Sequence, residues 1–189
     1  MEMIRSFIAI KLPEEIKNKI AEVQKTLKDS GADVKWVNPD AIHLTLKFLG
    51  NIEKTQIENI LSVIKKSSAG IKPFTVEIKS TGVFPKIEYP RVVWIGLKEE
   101  TKALLALQQK IEDNLLPLGF EKEGRDFKPH LTLGRVKSQK GKEKLISALL
   151  QSKDLSFGKF EVTEINLMQS VLEPTGAKYS SLGRVELVG

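Results

Sequence analysis

Only two of the 189 residues are histidine, and both open the same four-residue string: His43-Leu44-Thr45-Leu46 and His130-Leu131-Thr132-Leu133. With neighbours drawn independently at average residue usage, both histidines meeting this context by chance is on the order of one in a million. Imidazole titrates near neutrality, so a pair of them can hold one neutral ring as a proton acceptor and one charged ring as a proton donor. A threonine hydroxyl can donate to an oxygen on which negative charge grows. Together these four side chains suit in-line displacement at a phosphodiester, with base and acid on opposite sides and hydroxyl donors around the phosphate. That chemistry needs no metal and no cofactor.

The strings must then be placed. Residues 42–49 and 130–136 read as strands, and a strand sends alternate side chains to opposite faces. Each histidine thus shares a face with its threonine while the leucines take the other face, toward a core. For a lone histidine, a satisfied core or surface position is the default reading. Recurrence in an identical context argues for chemistry instead. Metal ligation is the sharper rival, but it needs more ligands, and the chain has no third histidine and no cysteine.

Composition bounds the rest. A hydrophobic share of 41% supports a real core, and a net charge of +6 with a pI near 9.4 favours an anionic partner without naming one. The lack of cysteine excludes disulfides, a thiolate nucleophile and sulfur-ligated metal. No apolar run has the length of a secretory signal or a membrane span, so a cytoplasmic protein with no membrane partner is expected.

Read in order, the chain gives a strand at 5–12 and a helix opened by Pro13-Glu14-Glu15, with Ile16, Ile20, Val23 and Leu27 on its apolar face and Gly31 at its end. A short strand at 35–37 precedes the first HLTL strand, closed by Gly50; a helix at 53–67 and a long strand ending near Phe84-Pro85 follow. After a loop at 85–90 the order recurs: strand 91–97, helix 100–116, the second HLTL strand, helix 141–151 and a long strand 160–171. The histidines stand 87 positions apart (130 − 43 = 87), and the same offset pairs Ile8 with Ile95 and Glu77 with Glu164. The chain therefore reads as two related halves, about 5–84 and 91–171, with a closing strand at 178–187, in one bilobal domain spanning 1–189. Each half is expected to borrow an end strand from the other. Similar lobes packed about a twofold axis would set the two His-x-Thr faces on opposite walls of one groove.

Two HxTx strings in a duplicated chain of this size resemble the two-histidine phosphoesterase superfamily, and the full pattern resembles its 2'-5' RNA ligase branch of RNA 2',3'-cyclic phosphodiesterases. The resemblance covers essentially the whole chain. It implies an α+β fold: a duplicated bilobal unit of two antiparallel sheets with flanking helices around a central cleft. It implies opening of a terminal 2',3'-cyclic phosphate to a 2'-phosphomonoester and, with an RNA 5'-hydroxyl replacing water, joining of that cyclic end through a 2'-5' bond. His43 would be the proton donor and His130 the proton acceptor, while position alone leaves donor and acceptor open. Thr45 and Thr132 would bind substrate. Arg135 and Phe48, each five residues past its histidine, occupy the places of a phosphate-contacting arginine and a base-stacking aromatic. Strict alternation would turn both toward the leucine side, so a bulge must re-aim them, with Gly134 the candidate in the second string. RNA with cyclic-phosphate and 5'-hydroxyl ends, tRNA halves among them, and nucleotides are the implied partners of a monomer. Alternatives are a non-catalytic nucleotide or RNA binding module and a phosphodiesterase for small 2'-5' linked oligonucleotides. Trp36 and Trp94 read as core residues and Arg91 as a loop cap. The lysines of 137–144 read as a solvated run beside the second string, and 84–89 and 173–179 as rims of the groove.

Overall fold

The computed structural model describes residues 3–98, 102–174 and 176–189. In chain order the elements are β1 (Met3–Lys11), α1 (Glu14–Lys28), β2 (Val34–Trp36), β3 (His43–Glu53), α2 (Ile57–Ser68), β4 (Phe74–Lys86), β5 (Tyr89–Leu97), α3 (Lys102–Leu115), β6 (His130–Val136), α4 (Lys142–Gln151), β7 (Ser156–Val162), β8 (Glu164–Glu173) and β9 (Gly176–Glu186). Helix α1 follows its expected signals: Pro13 is extended before it, Glu14 and Glu15 sit in its first turn, and Gly31 turns the chain at φ +68°. Its inward face is Ile16, Ile20, Gln24 and Leu27, with Gln24 taking the fully buried place expected of Val23. Helix α2 starts later than read, because Lys54–Gln56 form a 3-10 turn capped by Glu53 and Gln56. The expected start of the third helix at residue 100 lies outside the described residues.

All strand pairings are antiparallel and form two sheets, ordered β3-β1-β8-β9 and β2-β6-β5-β4-β7. Each HLTL strand lies beside the opening strand of its own half, and the next strand inward comes from the other half: β8 beside β1, β4 beside β5. The helices cross over too. Helices α2 and α3 back the four-stranded sheet, and α1 and α4 back the five-stranded one. One continuous apolar core joins the strand faces to all four helices, so neither half buries its strands alone. The fold is a duplicated bilobal α+β unit of two antiparallel sheets around a central cleft.

Three readings need correction. The long strand expected over 160–171 is two strands in different sheets: β7 ends at Val162 and β8 begins at Glu164. Alternating apolar residues run across this break, so periodicity could not show it. Gly50 does not close β3, which continues to Glu53; it pairs with Ser6 at φ +71°, within an irregular register. The loop at 85–90 is instead the tight tip of the β4–β5 hairpin. No helix among the described residues is long and apolar enough to cross a membrane.

Candidate active site

Each histidine is the first residue of its strand, and each imidazole is tied down in the same way. Nδ1 of His43 lies 2.8 Å from the carbonyl oxygen of Ala41, and Nδ1 of His130 lies 2.7 Å from that of Lys128, in both cases two residues upstream. A carbonyl only accepts, so Nδ1–H donates and the neutral ring keeps Nε2 as its free proton acceptor. The leucines do what alternation requires. Leu44, Leu46, Leu131 and Leu133 are at most 3% exposed, each contributing roughly 1.5–3 kcal/mol of apolar transfer free energy. His43, Thr45, His130 and Thr132 are half-buried on the opposite face.

A bulge in each string then re-aims the residues beyond it. Thr45 pairs with Ala9 and Lys47 with Ile8, so Leu46 is passed over; Thr132 pairs with Trp94 and Gly134 with Val93, so Leu133 is passed over. One extra residue reverses the sense of alternation. Lys47 and Gly134 consequently follow the leucines inward, while Phe48 and Arg135 emerge on the histidine face, Phe48 at 63% exposure. The bulge expected near Gly134 is thus present, one residue earlier, and has a counterpart in the first string.

Both bulges are served by buried glutamines on helices from the other half. Gln24 of α1 donates through Nε2 to the carbonyls of Val37 (2.7 Å) and Leu133 (3.0 Å), and the Val37 amide also donates to Leu133 (2.8 Å). Gln108 of α3 reaches the Leu46 carbonyl at 3.5 Å and Glu112 at 3.2 Å. Lys47 runs inward to Glu112 Oε2 (2.9 Å) and the Glu121 carbonyl (2.6 Å). These groups were missed from sequence. Their signal, a polar residue on an otherwise apolar helix face, was present at Gln24 and Gln108.

The two rings differ in setting. His43 stacks on Phe7 (4.5 Å between centroids, 24° between planes) and meets Tyr179 edge-on at 4.9 Å. Phe7, Ala9 and Met168, with Tyr179, form an apolar floor on this face of the four-stranded sheet. Burial pushes the His43 pKa below its ordinary value, opposed in part by the bond to Ala41. His130 meets Phe84 edge-on at 5.1 Å. Phe84 in turn leans on Trp94 at 5.2 Å. Trp94 is therefore no core residue. It lies half-buried on the histidine face opposite Thr132, and the space it fills is left by Gly82, where a Cβ would come within 2.3 Å of its ring. Trp36 does pack against the core.

His43, Thr45 and Phe48 thus share the uncovered face of one sheet, and His130, Thr132 and Arg135 that of the other, on strands β3 and β6 that run next to each other. Among the described residues, no three His, Asp or Glu side chains are placed to hold a metal ion. A duplicated pair of helix-backed sheets, each presenting an anchored His-x-Thr strand, defines a two-histidine phosphoesterase. The chain belongs to the LigT like phosphoesterase family, which it matches twice, over residues 10–94 and 95–179. It is 39% identical over 176 residues to a Methanocaldococcus jannaschii protein named RNA 2',3'-cyclic phosphodiesterase, covering 93% of this chain and 96% of that one. A Methanothermobacter thermautotrophicus protein of the same name is 35% identical over 179 residues, with 95% and 96% covered. Among solved structures, TT0787 of Thermus thermophilus superposes with a TM-score of 0.80 at 28% identity, over 97% of both chains.

Proposed function

We propose that this protein opens terminal 2',3'-cyclic phosphates of RNA by general acid–base catalysis between two imidazoles. The observation that carries the reading is the repeated anchoring of Nδ1 on a carbonyl two residues back, which in both halves leaves Nε2 free on a ring that shares its strand face with a threonine. In the hydrolytic direction, His130 takes a proton from water as its oxygen attacks phosphorus. The P–O3' bond breaks, and His43 gives its proton to the departing O3', leaving a 2'-phosphomonoester and a 3'-hydroxyl. Thr45 and Thr132 donate to the non-bridging oxygens, the Arg135 guanidinium offsets the charge gathering there, and Phe48 offers its exposed ring to a base. No metal takes part in these steps. With a 5'-hydroxyl RNA end attacking in place of water, the same groups break the same P–O3' bond and form a 2'-5' bond.

In this reading residues 1–189 work as one bilobal unit, a cytoplasmic monomer, with halves near 5–84 and 91–171 supplying one histidine each. Its substrates are RNA ends of the kind that tRNA halves carry, and small cyclic nucleotides.

The test is product analysis, by phosphorus NMR with EDTA present, of a short oligoribonucleotide ending in a 2',3'-cyclic phosphate. The expected product is the 2'-phosphate. His43→Ala and His130→Ala should each lose about 10²–10⁴-fold in turnover while keeping the wild-type circular dichroism spectrum. Near-normal turnover in either folded variant overturns the mechanism, and a 3'-phosphate product overturns the choice of leaving oxygen.

A further inference from the structure

The two halves also differ at the edge of the uncovered face. Among the described residues, β3 is the outer strand of its sheet, whereas its counterpart β6 carries a further strand, β2, on its outer side. Strand β2 is only three residues long, yet it is firmly seated. Its pairs are Val34↔Val136, Lys35↔Arg135 and Trp36↔Gly134, the Lys137 amide donates to the Asp33 carbonyl at 2.8 Å, and Gln24 ties down the Val37 carbonyl just past the strand. Val34 and Trp36 pack on the core, so alternation turns Lys35 the other way.

Directly opposed residues of an antiparallel pair project from the same face. Lys35 therefore stands beside Arg135, and the row continues through Val92 to Phe84. Phe84 is the residue whose ring meets the His130 imidazole. The row starts at Phe84, beside that imidazole, and ends three strand spacings from Phe84, about 14 Å across the sheet, at the exposed Lys35. Among the described residues neither Lys35 nor Arg135 has an acidic partner. Equivalent positions in the first half hold only Phe48, with nothing beyond it among the described residues.

We propose that Lys35, next to Arg135, binds a phosphodiester of the RNA strand on the 5' side of the reacting end, making a polynucleotide rather than a mononucleotide the better substrate. This rests on the function proposed above and names its substrate class. A mononucleotide cyclic phosphate has a single phosphate, which is consumed at the imidazoles, so its chemistry does not extend to β2. An oligonucleotide has further phosphates to place along the cationic row, and each one neutralised releases counterions.

The experiment compares wild type with Lys35→Gln on two substrates, a mononucleoside 2',3'-cyclic phosphate and a tetraribonucleotide with the same cyclic end, over a series of salt concentrations. For the tetranucleotide, the KM of the variant should rise about three- to ten-fold with kcat kept, and the slope of log kcat/KM against log salt should shrink by about 0.7, the value for one single-strand phosphate contact. Lys35→Arg should restore both. The mononucleotide should report equal kcat/KM for both proteins. An unchanged salt slope in Lys35→Gln, or an equal loss on the mononucleotide, overturns the subsite. Should wild type open neither substrate, the proposed function fails separately. Anisotropy titration of the tetranucleotide bearing a plain 2'-phosphate then decides the subsite, since a Lys35→Gln salt slope equal to that of wild type overturns it.

Discussion

Replacing Lys47 with methionine tests the link between the core and the first HLTL strand. The Lys47 and Glu112 side chains are only 3% and 6% exposed, and their charged atoms are 2.9 Å apart. Methionine keeps most of the aliphatic stem, so little apolar burial is lost. What remains is a buried carboxylate holding only Gln108 Nε2 at 3.2 Å and the Glu123 amide at 3.3 Å, together with an orphaned Glu121 carbonyl. Breaking a buried pair from one side destabilises by about 3–5 kcal/mol, a large share of the roughly 5–15 kcal/mol that holds a domain folded. At this chain length that corresponds to a fall in melting temperature of roughly 6–20 °C. Removing both charges, as Lys47→Met with Glu112→Leu, should recover most of the loss, because the desolvation of both ions goes with them. Urea titration of the four proteins in a double-mutant cycle measures this directly. A Lys47→Met loss below about 1 kcal/mol, or a double variant as unstable as the two single losses summed, would refute the idea that a desolvated pair pins the strand. Lys47 lies between the bulge at Leu46 and Phe48, so loosening it should also lower turnover well below the melting temperature.

His43 sets the pH dependence: burial favours its neutral form in the free protein, while the donor role needs the charged ring, so kcat/KM should fall as pH rises through a value below the ordinary 6.5. If kcat/KM instead rises with pH through the His43 titration followed by proton NMR, His43 is the base and the roles exchange. The same depressed pKa means His43 contributes stability that is fully present above the ordinary histidine value and lost as pH falls through its lowered folded value. A pH-dependent melting series should show that loss in wild type and a smaller one in His43→Ala. Gly134→Ala places a Cβ 2.6 Å from Val34 Cγ1 and 3.0 Å from the Trp36 ring, an overpacking expected to destabilise by about 1–3 kcal/mol and to splay β2 from β6. Hydrogen exchange at the Val37 amide, bonded to Leu133, should accelerate, and unchanged protection there would contradict the packing.

The candidate site was legible because its signal is local and doubled. His-x-Thr at period two places both side chains on one face whatever the sheet, and the leucines between them state which side is core. The helices were legible for the same reason, their apolar residues recurring every three to four positions. Trp94 was misread because an indole on a strand that alternates with Val93 and Ile95 looks like core from composition alone; only the empty space above Gly82 shows which way it lies. The break between β7 and β8 was invisible because hydrophobic alternation records that a face is buried without saying against which sheet.

By itself the sequence determined the duplication, the strands that carry the histidines, and the face on which each histidine and its threonine lie opposite the leucines, since these follow from pairwise spacing along one chain. Tertiary structure alone decided that helices α1 and α3 back the sheet of the opposite half, that Gln24 and Gln108 reach the carbonyls of Leu133 and Leu46, and that Lys35 stands beside Arg135. Those are contacts between residues about a hundred, about sixty and a hundred positions apart, and no local pattern can encode them. The bulges belong to both levels: the family resemblance implied that Phe48 and Arg135 turn outward, but the residue passed over was set by register against β1 and β5, where hydrogen bonding across strands fixes which carbonyl is left to a glutamine.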